Sequence, residues 1–231
     1  LQEGRLRADV VVANADLPYV YGELLPDDPL AESLEHKRYS CSVVSFFWGV
    51  RRQYRSLAPH TLFLADDYRE NFESIIRDLS IPENPSLYVH APRQLDASVA
   101  PAGEDTLIAI VPVGHLNENG EQDWSAIRDE ARRHVFRRLR TIGIRDLEKQ
   151  IKFEISYNPL SWRKRYNLVK GATHGLCHNL GQLAYLRPHN RHARYKNLYF
   201  AGASTHPGTG VPTALISGRL AAQRILDEWG V

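Results

Sequence analysis

Runs of apolar and β-branched residues predict a series of strands along the chain. The run at residues 9–15 (DVVVANA), which Asp16-Leu17-Pro18 ends, predicts a strand buried on both faces, as in parallel sheets. The aromatic run at residues 41–50 (CSVVSFFWGV) predicts a second strand. Alternation of apolar and polar residues at 151–156 predicts a half-buried strand with its apolar side inward. Shorter strands are predicted at residues 61–64, 85–90, 106–113 and 197–203.

Apolar residues at three- and four-residue spacing predict helices between these strands. Asp66 or Asp67 is a suitable cap for a short helix whose apolar face holds Phe72, Ile75, Ile76 and Leu79. Asp123 is expected to cap a longer amphipathic helix that ends at Gly143. A last helix is predicted from Thr213 to Trp229. Its expected apolar stripe consists of Leu215, Gly218, Ala222, Ile225 and Trp229.

The order of these elements predicts an α/β fold with one domain inserted into another. A strand fragment opens the chain, a body of strands and helices with an expected mixed sheet follows, and a strand–loop–helix unit closes it. The chain begins with Leu1 and contains no Met. The strand at 9–15 would need neighbouring strands that the preceding residues do not supply. We therefore expect that the front of the protein is missing.

Composition narrows the class of protein. The 231 residues are 43% hydrophobic and 24% charged, which is an ordinary globular balance and excludes a disordered chain. The longest nearly apolar stretch, residues 41–50, is too short to span a bilayer. A net charge of +2 gives no argument for nucleic-acid binding. Cys41 and Cys177 cannot form a disulfide framework, so a reducing, intracellular compartment is expected.

A glycine- and proline-rich loop, residues 204–212 (STHPGTGVP), lies between the last predicted strand and helix. Unpaired amides at a helix N-terminus favour an anion or a developing negative charge. Gly208 and Gly210 would let the backbone approach a ligand, and Pro212 suits a first helical turn. The G-x-G-x-x-G fingerprint is absent, so the spacing leaves open a nucleotide site or a plain tight turn.

Three further clusters each admit two interpretations. His174, Cys177 and His178 could form a metal site, although no further ligand is evident; packing or buried histidines are favoured, and no metal is expected. The run 46–48 (FFW) could line a pocket for a hydrocarbon or belong to a strand buried on both sides. Basic residues could form a solvated face or contact anionic lipid. These are Arg128, Arg132, Arg133, Arg137, Arg138 and Arg140, with a second run at 163–165.

Six segments in order resemble the bacterial and fungal type of phytoene desaturase, a carotenoid-forming branch of the flavin amine oxidase superfamily. The most specific is NLYFAGASTHPGTGVPTALISGRLAAQRI, residues 197–225. The others are residues 8–21, 40–50, 61–72, 86–101 and 170–200. The resemblance covers essentially the whole chain, except that the N-terminal G-x-G-x-x-G of that family has no counterpart here.

The resemblance implies FAD as cofactor and a Rossmann-like FAD-binding domain interrupted by a substrate domain. Residues 1–20 would be a returning strand of the FAD domain, 21–165 the substrate and membrane-facing domain, and 166–231 the rest of the FAD domain. His206 would be a proton acceptor or flavin-orienting group, or simply pack in the loop. The implied cofactor-binding residues are Asn14, Gly202, Ala203, Thr205, Pro207, Gly208, Gly210, Val211 and Pro212.

The activity that the resemblance implies is dehydrogenation of phytoene to lycopene or a more desaturated carotene. A hydride would pass to flavin N5 while the neighbouring carbon loses a proton. A membrane quinone or oxygen would reoxidise the flavin, and the protein would attach peripherally to a membrane. The alternatives are a related flavin enzyme acting on another apolar isoprenoid, such as a ketolase, saturase or later-step desaturase, or a non-catalytic lipid-associated fragment.

Overall fold

The computed structural model describes residues 4–25, 28–117 and 119–230. The chain forms two compact units. The first unit comprises Leu1–Ser40, Tyr166–Val169 and His174–Val231, and the second comprises Cys41–Arg165 and Lys170–Thr173.

Residues 21–40 group with the first unit, whereas the sequence analysis began the inserted domain at residue 21. The difference arises from side chains within this segment. The ring of Tyr21 packs 5.4 Å from that of Phe200, and Asp28 lies 3.0 Å from Nε2 of His192. These contacts hold the segment in the first unit. The functions assigned to the two domains stay predictions.

A short parallel sheet is the centre of the first unit. Strand β1 (Val11–Ala13) pairs with strand β7 (Leu198–Phe200), with Val11 opposite Leu198. The strand at residues 9–15 was expected to be buried on both faces, and this expectation was wrong. Val11 is 46% exposed and Val12 49% exposed, because the sheet has only two strands in the described part of the chain.

Helix α7 (Val211–Trp229) follows β7 and buries a different face from the one expected. Its buried residues are Ser217 and Ala221, whereas Leu215 is 72% exposed. Ser217 determines this orientation because its hydroxyl accepts a hydrogen bond from the amide of Gly202. The hydrogen bond between Ser217 and the preceding loop, rather than the predicted apolar stripe, therefore determines which face of α7 is buried.

The second unit contains a five-stranded sheet in the order β3-β4-β5-β2-β6, in which all four pairings are antiparallel. The sequence analysis expected a mixed sheet here, but parallel pairing occurs between β1 and β7, in the first unit. The predicted strand positions are confirmed to within a few residues. The strands are β2 (Ser42–Val50), β3 (His60–Phe63), β4 (Leu87–His90), β5 (Asp105–Val113) and β6 (Ile151–Tyr157).

One face of this sheet packs against helix α4 (Trp124–Thr141) to form the core. The side chain of Asp123 caps the helix as predicted, accepting hydrogen bonds from two first-turn amides. Phe46 and Trp48 are fully buried on this face, and the Trp48 ring stacks 5.4 Å from that of Phe136. Two members of the aromatic run 46–48 are therefore core residues.

Two apolar residues of strand β6 point away from the core, contrary to expectation, whereas Ile151 packs against it. Phe153 is 58% exposed and Ile155 is 50% exposed. Glu154 points toward α4, where it accepts hydrogen bonds from Nε1 of Trp48 at 2.7 Å and Nε of Arg132 at 2.8 Å. Because a strand alternates its faces, pairing this carboxylate inward places the neighbouring apolar side chains outward.

Shorter helices complete the fold in the described residues. The predicted helix after Asp67 is α3 (Tyr68–Ile76), and the side chain of Asp67 accepts a hydrogen bond from the amide of Glu70. In the described ranges, no helix combines the length and the apolar character that crossing a bilayer requires. The α-helices are α1 (Leu17–Tyr19), α2 (Leu30–Glu35), α3 (Tyr68–Ile76), α5 (Leu147–Gln150) and α6 (Pro159–Tyr166), and a π-helix spans Val20–Leu24.

The basic side of α4 is in part a structural surface rather than a uniformly solvated one. Arg132 bonds to both Glu148 and Glu154, and its guanidinium lies 4.5 Å from the ring centre of Phe136. Arg138 donates to the carbonyl of Leu64 at 2.9 Å. These arginines join α4 to other segments, so they cannot be exchanged for acidic residues without cost to the fold.

We predict that Arg132→Glu lowers the stability of the protein by about 1–3 kcal/mol, because it leaves three carboxylates facing one another beside Trp48. Thermal unfolding of the full-length protein that contains this chain measures the effect. The matched control is Arg133→Glu on the adjacent, exposed position, which we expect to change stability little. Equal losses in the two variants would contradict the structural role of Arg132.

Candidate functional site

The loop between β7 and α7 leaves the start of a long helix uncapped. Gly202, Gly208 and Gly210 have φ angles of 141°, 138° and 115°, a region that L side chains rarely adopt. Gly210 is the N-cap of α7, no side chain caps the helix, and its first turn carries no acidic residue. Val211 is 78% exposed. The positive end of the 19-residue helix is therefore available to a negatively charged ligand.

A network of polar side chains holds the beginning of this loop. The hydroxyl of Ser217 lies 2.9 Å from that of Thr205 and accepts from the Gly202 amide at 3.1 Å. Asn190 donates to the same hydroxyl at 3.0 Å. Asn14 donates to the carbonyl of Ala201 at 3.0 Å, which joins the end of β1 to the end of β7. The structure thus brings Asn14, Gly202 and Thr205 together, and their role in binding the cofactor stays a prediction.

Arg187 is the largest polar side chain in this network and is 1% exposed. Its guanidinium has no carboxylate partner among the hydrogen bonds of the described residues and is satisfied by backbone carbonyls. Burial lowers the pKa of Arg187 from its ordinary value. The accepting carbonyls are those of Ala203 at 2.5 Å, Thr205 at 3.0 Å, Leu176 at 3.2 Å, Gln182 at 3.2 Å and Cys177 at 3.4 Å.

Asp16 and Ser204 form a second buried contact beside the loop. The hydroxyl of Ser204 donates to Oδ1 of Asp16 at 2.7 Å, and the amide of Val169 donates to Oδ2 at 3.0 Å. Burial raises the pKa of the Asp16 carboxyl, and these hydrogen bonds oppose the rise. Asp16 thereby fixes the position of Ser204 in the loop.

His206 lies away from the open end of α7. Its amide donates to the carbonyl of Pro188, and its own carbonyl accepts from Asn190. The residue lines an open cavity of about 410 Å³ together with residues in the C-terminal half of α7, from Leu220 to Glu228. Leu220 is nine residues after Val211, about 14 Å along the helix axis. A catalytic role of His206 stays a prediction, and its backbone contacts fit the alternative in which it packs in the loop.

His178 contacts the second half of the loop. Its Nε2 accepts a hydrogen bond from the amide of Thr209 at 3.2 Å. A Cβ added at Gly208 would overlap the same nitrogen. Within residues 4–25, 28–117 and 119–230, no group of three or more His, Cys, Asp or Glu is arranged to hold a metal ion.

The site depends on several polar residues that the sequence analysis did not single out for binding. Arg187, Asn190, Ser217 and Asp16 hold the loop but do not belong to its glycine pattern. One available signal was a serine at position 217 within an otherwise apolar helix segment. The start of α7 and the residues just before it do contain five of the predicted residues, Pro207, Gly208, Gly210, Val211 and Pro212. The carbonyl of Ala203 accepts a hydrogen bond from Arg187.

Comparison with known proteins identifies the class to which this fold and loop belong. The family described as flavin containing amine oxidoreductase matches residues 2–226, so the chain belongs to that family. Membership implies FAD as the cofactor.

Phytoene desaturases and 4,4'-diapophytoene desaturases are among the similar curated proteins. A phytoene desaturase of Fusarium fujikuroi is 41% identical, with 97% of this chain and 43% of the relative covered. A zeta-carotene-forming phytoene desaturase of Myxococcus xanthus is 42% identical over 96% of this chain and 43% of the relative. A 4,4'-diapophytoene desaturase of Staphylococcus haemolyticus is 36% identical, with 96% and 46% covered. The chain therefore spans less than half the length of each relative.

Among solved structures, an oxidoreductase from Methanosarcina mazei superimposes with a TM-score of 0.55. The alignment covers 94% of this chain and 43% of that one, at 15% identity. At this identity the likeness shows the fold alone.

The residues at the start of α7 fit the flavin of FAD. A flavin carries negative charge in its reduced form, and the uncapped helix N-terminus offers amides without an opposing acidic side chain. The glycines on either side of Thr209 keep side chains away from the approach to Val211. Asn14, at the end of β1, contacts the turn that begins this loop.

We predict that Gly208→Val and Gly210→Val in the full-length protein each abolish retention of FAD. Both positions have positive φ, and a side chain at Gly208 would also displace His178. Flavin absorbance per mole of purified protein is the measurement. Gly22→Val is the control in the same unit, since Gly22 has no positive φ and no atom within 4 Å of an added Cβ. Normal flavin content in both loop variants would show that the loop is a plain turn.

Proposed function

We propose that this chain is part of an FAD-dependent carotenoid desaturase that dehydrogenates phytoene to lycopene or a more desaturated carotene. The observation that carries the proposal is the uncapped α7 N-terminus behind a positive-φ glycine loop, in a chain 36–42% identical to carotenoid desaturases along nearly its whole length. The first unit supplies contacts to the flavin, and the second supplies an apolar surface for the hydrocarbon.

When bound, FAD accepts the hydride that leaves the carbon chain. The chain's own contribution at this point is electrostatic. The amides at the start of α7 stabilise negative charge that accumulates on the reduced ring system. Asn14, Ser217 and Arg187 hold the preceding loop so that these amides are fixed before the ligand arrives. The proton lost from the neighbouring carbon requires an acceptor; the assignment of this role to His206, which lies away from the start of α7, stays a prediction.

A hydrocarbon chain offers no hydrogen-bonding group, so apolar contact must bind it. The face of the five-stranded sheet opposite α4 provides such a surface. Phe47 stands opposite Ile108 on β5 and opposite Ile155 on β6, and directly paired residues share a face of the sheet. None of these three side chains is fully buried, and Ile155 is half exposed.

The glycine in β2 extends this surface. Gly49 pairs with Phe153, and a Cβ at Gly49 would overlap the phenyl ring of that residue. The phenyl ring of Phe153 therefore lies over the backbone of β2 at Gly49, where no side chain intervenes. Helix α6 bounds one end of the surface, where the Trp162 ring stacks 4.9 Å from Tyr157. The apolar sheet face with this boundary fits a long hydrocarbon better than a compact polar substrate.

The activity is tested by incubating the full-length protein with FAD, phytoene in liposomes and a quinone or oxygen as acceptor. We expect coloured products with conjugated double bonds. Ile155→Asn should raise the phytoene concentration needed for half-maximal rate about tenfold or more, since it places a polar group on the binding face. Ile142→Asn, the same change at a 41% exposed residue directly after α4, is the matched control. Turnover of 4,4'-diapophytoene alone would identify a shorter substrate, and no turnover of either would contradict the proposal.

We further propose that the protein attaches peripherally to an intracellular membrane, where an apolar substrate and a quinone or oxygen as electron acceptor are available. Exposed basic residues support this attachment. Arg163 and Lys164 lie on α6, and Arg133 and Arg140 lie on the outer side of α4, all with exposed side chains. Each such charge contributes about 1 kcal/mol near an anionic surface.

Replacing Arg133, Arg140, Arg163 and Lys164 together with Glu should strongly reduce flotation of the protein with anionic liposomes. Folding should be retained, because these four side chains are exposed, in contrast to Arg132. Raising the salt concentration should release the wild type in the same way, because salt screens exposed charges. Flotation that neither change affects would exclude this basic surface as the attachment site.

A further inference from the structure

The segment from His174 to Arg187 holds the cofactor loop from one side along its length. Arg187 binds the carbonyls of Ala203 and Thr205, and the amide of Leu176 donates to the hydroxyl of Ser204. At the far end of the loop, Thr209 donates to this segment twice. Its hydroxyl bonds to the carbonyl of His174, and its amide bonds to the ring of His178.

The bond from Thr209 defines the chemical state of the His178 ring. A backbone amide can only donate, so Nε2 must present a lone pair, and the proton of the neutral ring lies on Nδ1. Gly208 packs directly against Nε2. The position leaves no room for a side chain between the loop and the ring.

The same contact reaches the first turn of α7. The hydroxyl of Thr213 donates to the carbonyl of Thr209 at 2.5 Å and to that of Gly210 at 2.9 Å. His178, Thr209 and Thr213 therefore form a continuous hydrogen-bonded path from the ring to the helix N-terminus. The ring is thereby connected to the amides at the start of α7.

The surroundings of His178 favour its neutral form. Burial is the largest cause that lowers the pKa of the ring, and the positive charges of Arg187 and His174 lower this pKa further. Cys177 and Tyr185 are the other titratable groups of the segment, and His206 is the one titratable side chain of the loop from 201 to 210. The first turn of α7 has no acidic residue that would favour a cation.

We propose that neutral His178 is the positioning residue of the flavin site, and that its protonation releases Thr209 and weakens FAD binding. The proposal rests on the proposed function, because it assumes that FAD binds at the start of α7. A proton on Nε2 would face the N–H of Thr209, so two donors would meet and the hydrogen bond that holds Thr209 would be lost. FAD affinity is then constant at high pH and falls as pH decreases through the pKa of the ring, which lies below the ordinary value of 6.5.

The test measures the dissociation constant of FAD for the apo form of the full-length protein from about pH 8 to about pH 5. His178→Gln is the decisive variant, because a glutamine oxygen accepts from an amide but does not titrate in this range. We expect the acid weakening of the wild type to be absent in His178→Gln. His178→Ala should bind FAD about tenfold more weakly throughout the range, having lost the acceptor. His36→Gln changes an exposed histidine of the same unit and should keep the wild-type profile.

A second readout is independent of bound FAD. In protein labelled with ¹⁵N-histidine, the signals that disappear in His178→Gln should show a protonated Nδ1 and an unprotonated Nε2 at about pH 8. A protonated Nε2 would overturn the proposal, and so would a pH-independent wild type or identical pH profiles in wild type and His178→Gln. If the wild type binds no FAD at about pH 8, the proposed function itself fails, whereas normal FAD binding with a flat profile contradicts only the role of His178.

Discussion

The arrangement of the first unit depends on the buried charge of Arg187. Five carbonyl oxygens from two segments of the chain converge on its guanidinium, which is 1% exposed. A buried cation without a carboxylate is costly unless several dipoles surround it. Here the five carbonyls accept hydrogen bonds from the guanidinium, and the guanidinium has its charge stabilised by them. Removing Arg187 would therefore leave these buried carbonyls without a donor. The residues that precede the glycine loop are thereby fixed without the loop contributing a large side chain of its own.

The sheet of the second unit packs one face against α4 and leaves apolar side chains exposed on its other face. Trp48 and Phe46 pack against α4, while Phe47 points the other way. Glu154 occupies a place on the packed side because Trp48 and Arg132 both donate to it. This inward carboxylate is the physical reason that Phe153 and Ile155 are exposed. Exposed apolar area is unfavourable in water, which is why we propose this face as the surface that contacts the hydrocarbon.

Local sequence rules predicted most helices and strands because caps and periodicity act over a few residues. Asp67 and Asp123 cap the helices to which they were assigned, and the strand at 41–50 was placed within one residue. The rules failed where a distant polar group determines orientation. The hydrogen bond between Ser217 and Gly202 determines which face of α7 is buried, and the inward position of Glu154 turns Phe153 and Ile155 outward. Ser217 and Gly202 are far apart in the sequence, and so are Glu154 and the two residues that donate to it. The same limit applies to the site: its glycines were evident, whereas Arg187 and Asn190 acquire their importance only when their segment meets the loop.

The central claim is that the start of α7 binds the flavin. The most direct measurement is an experimental structure of the full-length protein with FAD bound. We predict that the isoalloxazine ring lies within hydrogen-bond distance of the first-turn amides of α7, with His178 still accepting from Thr209. A flavin ring located elsewhere, with those amides facing only solvent or protein, would contradict the account.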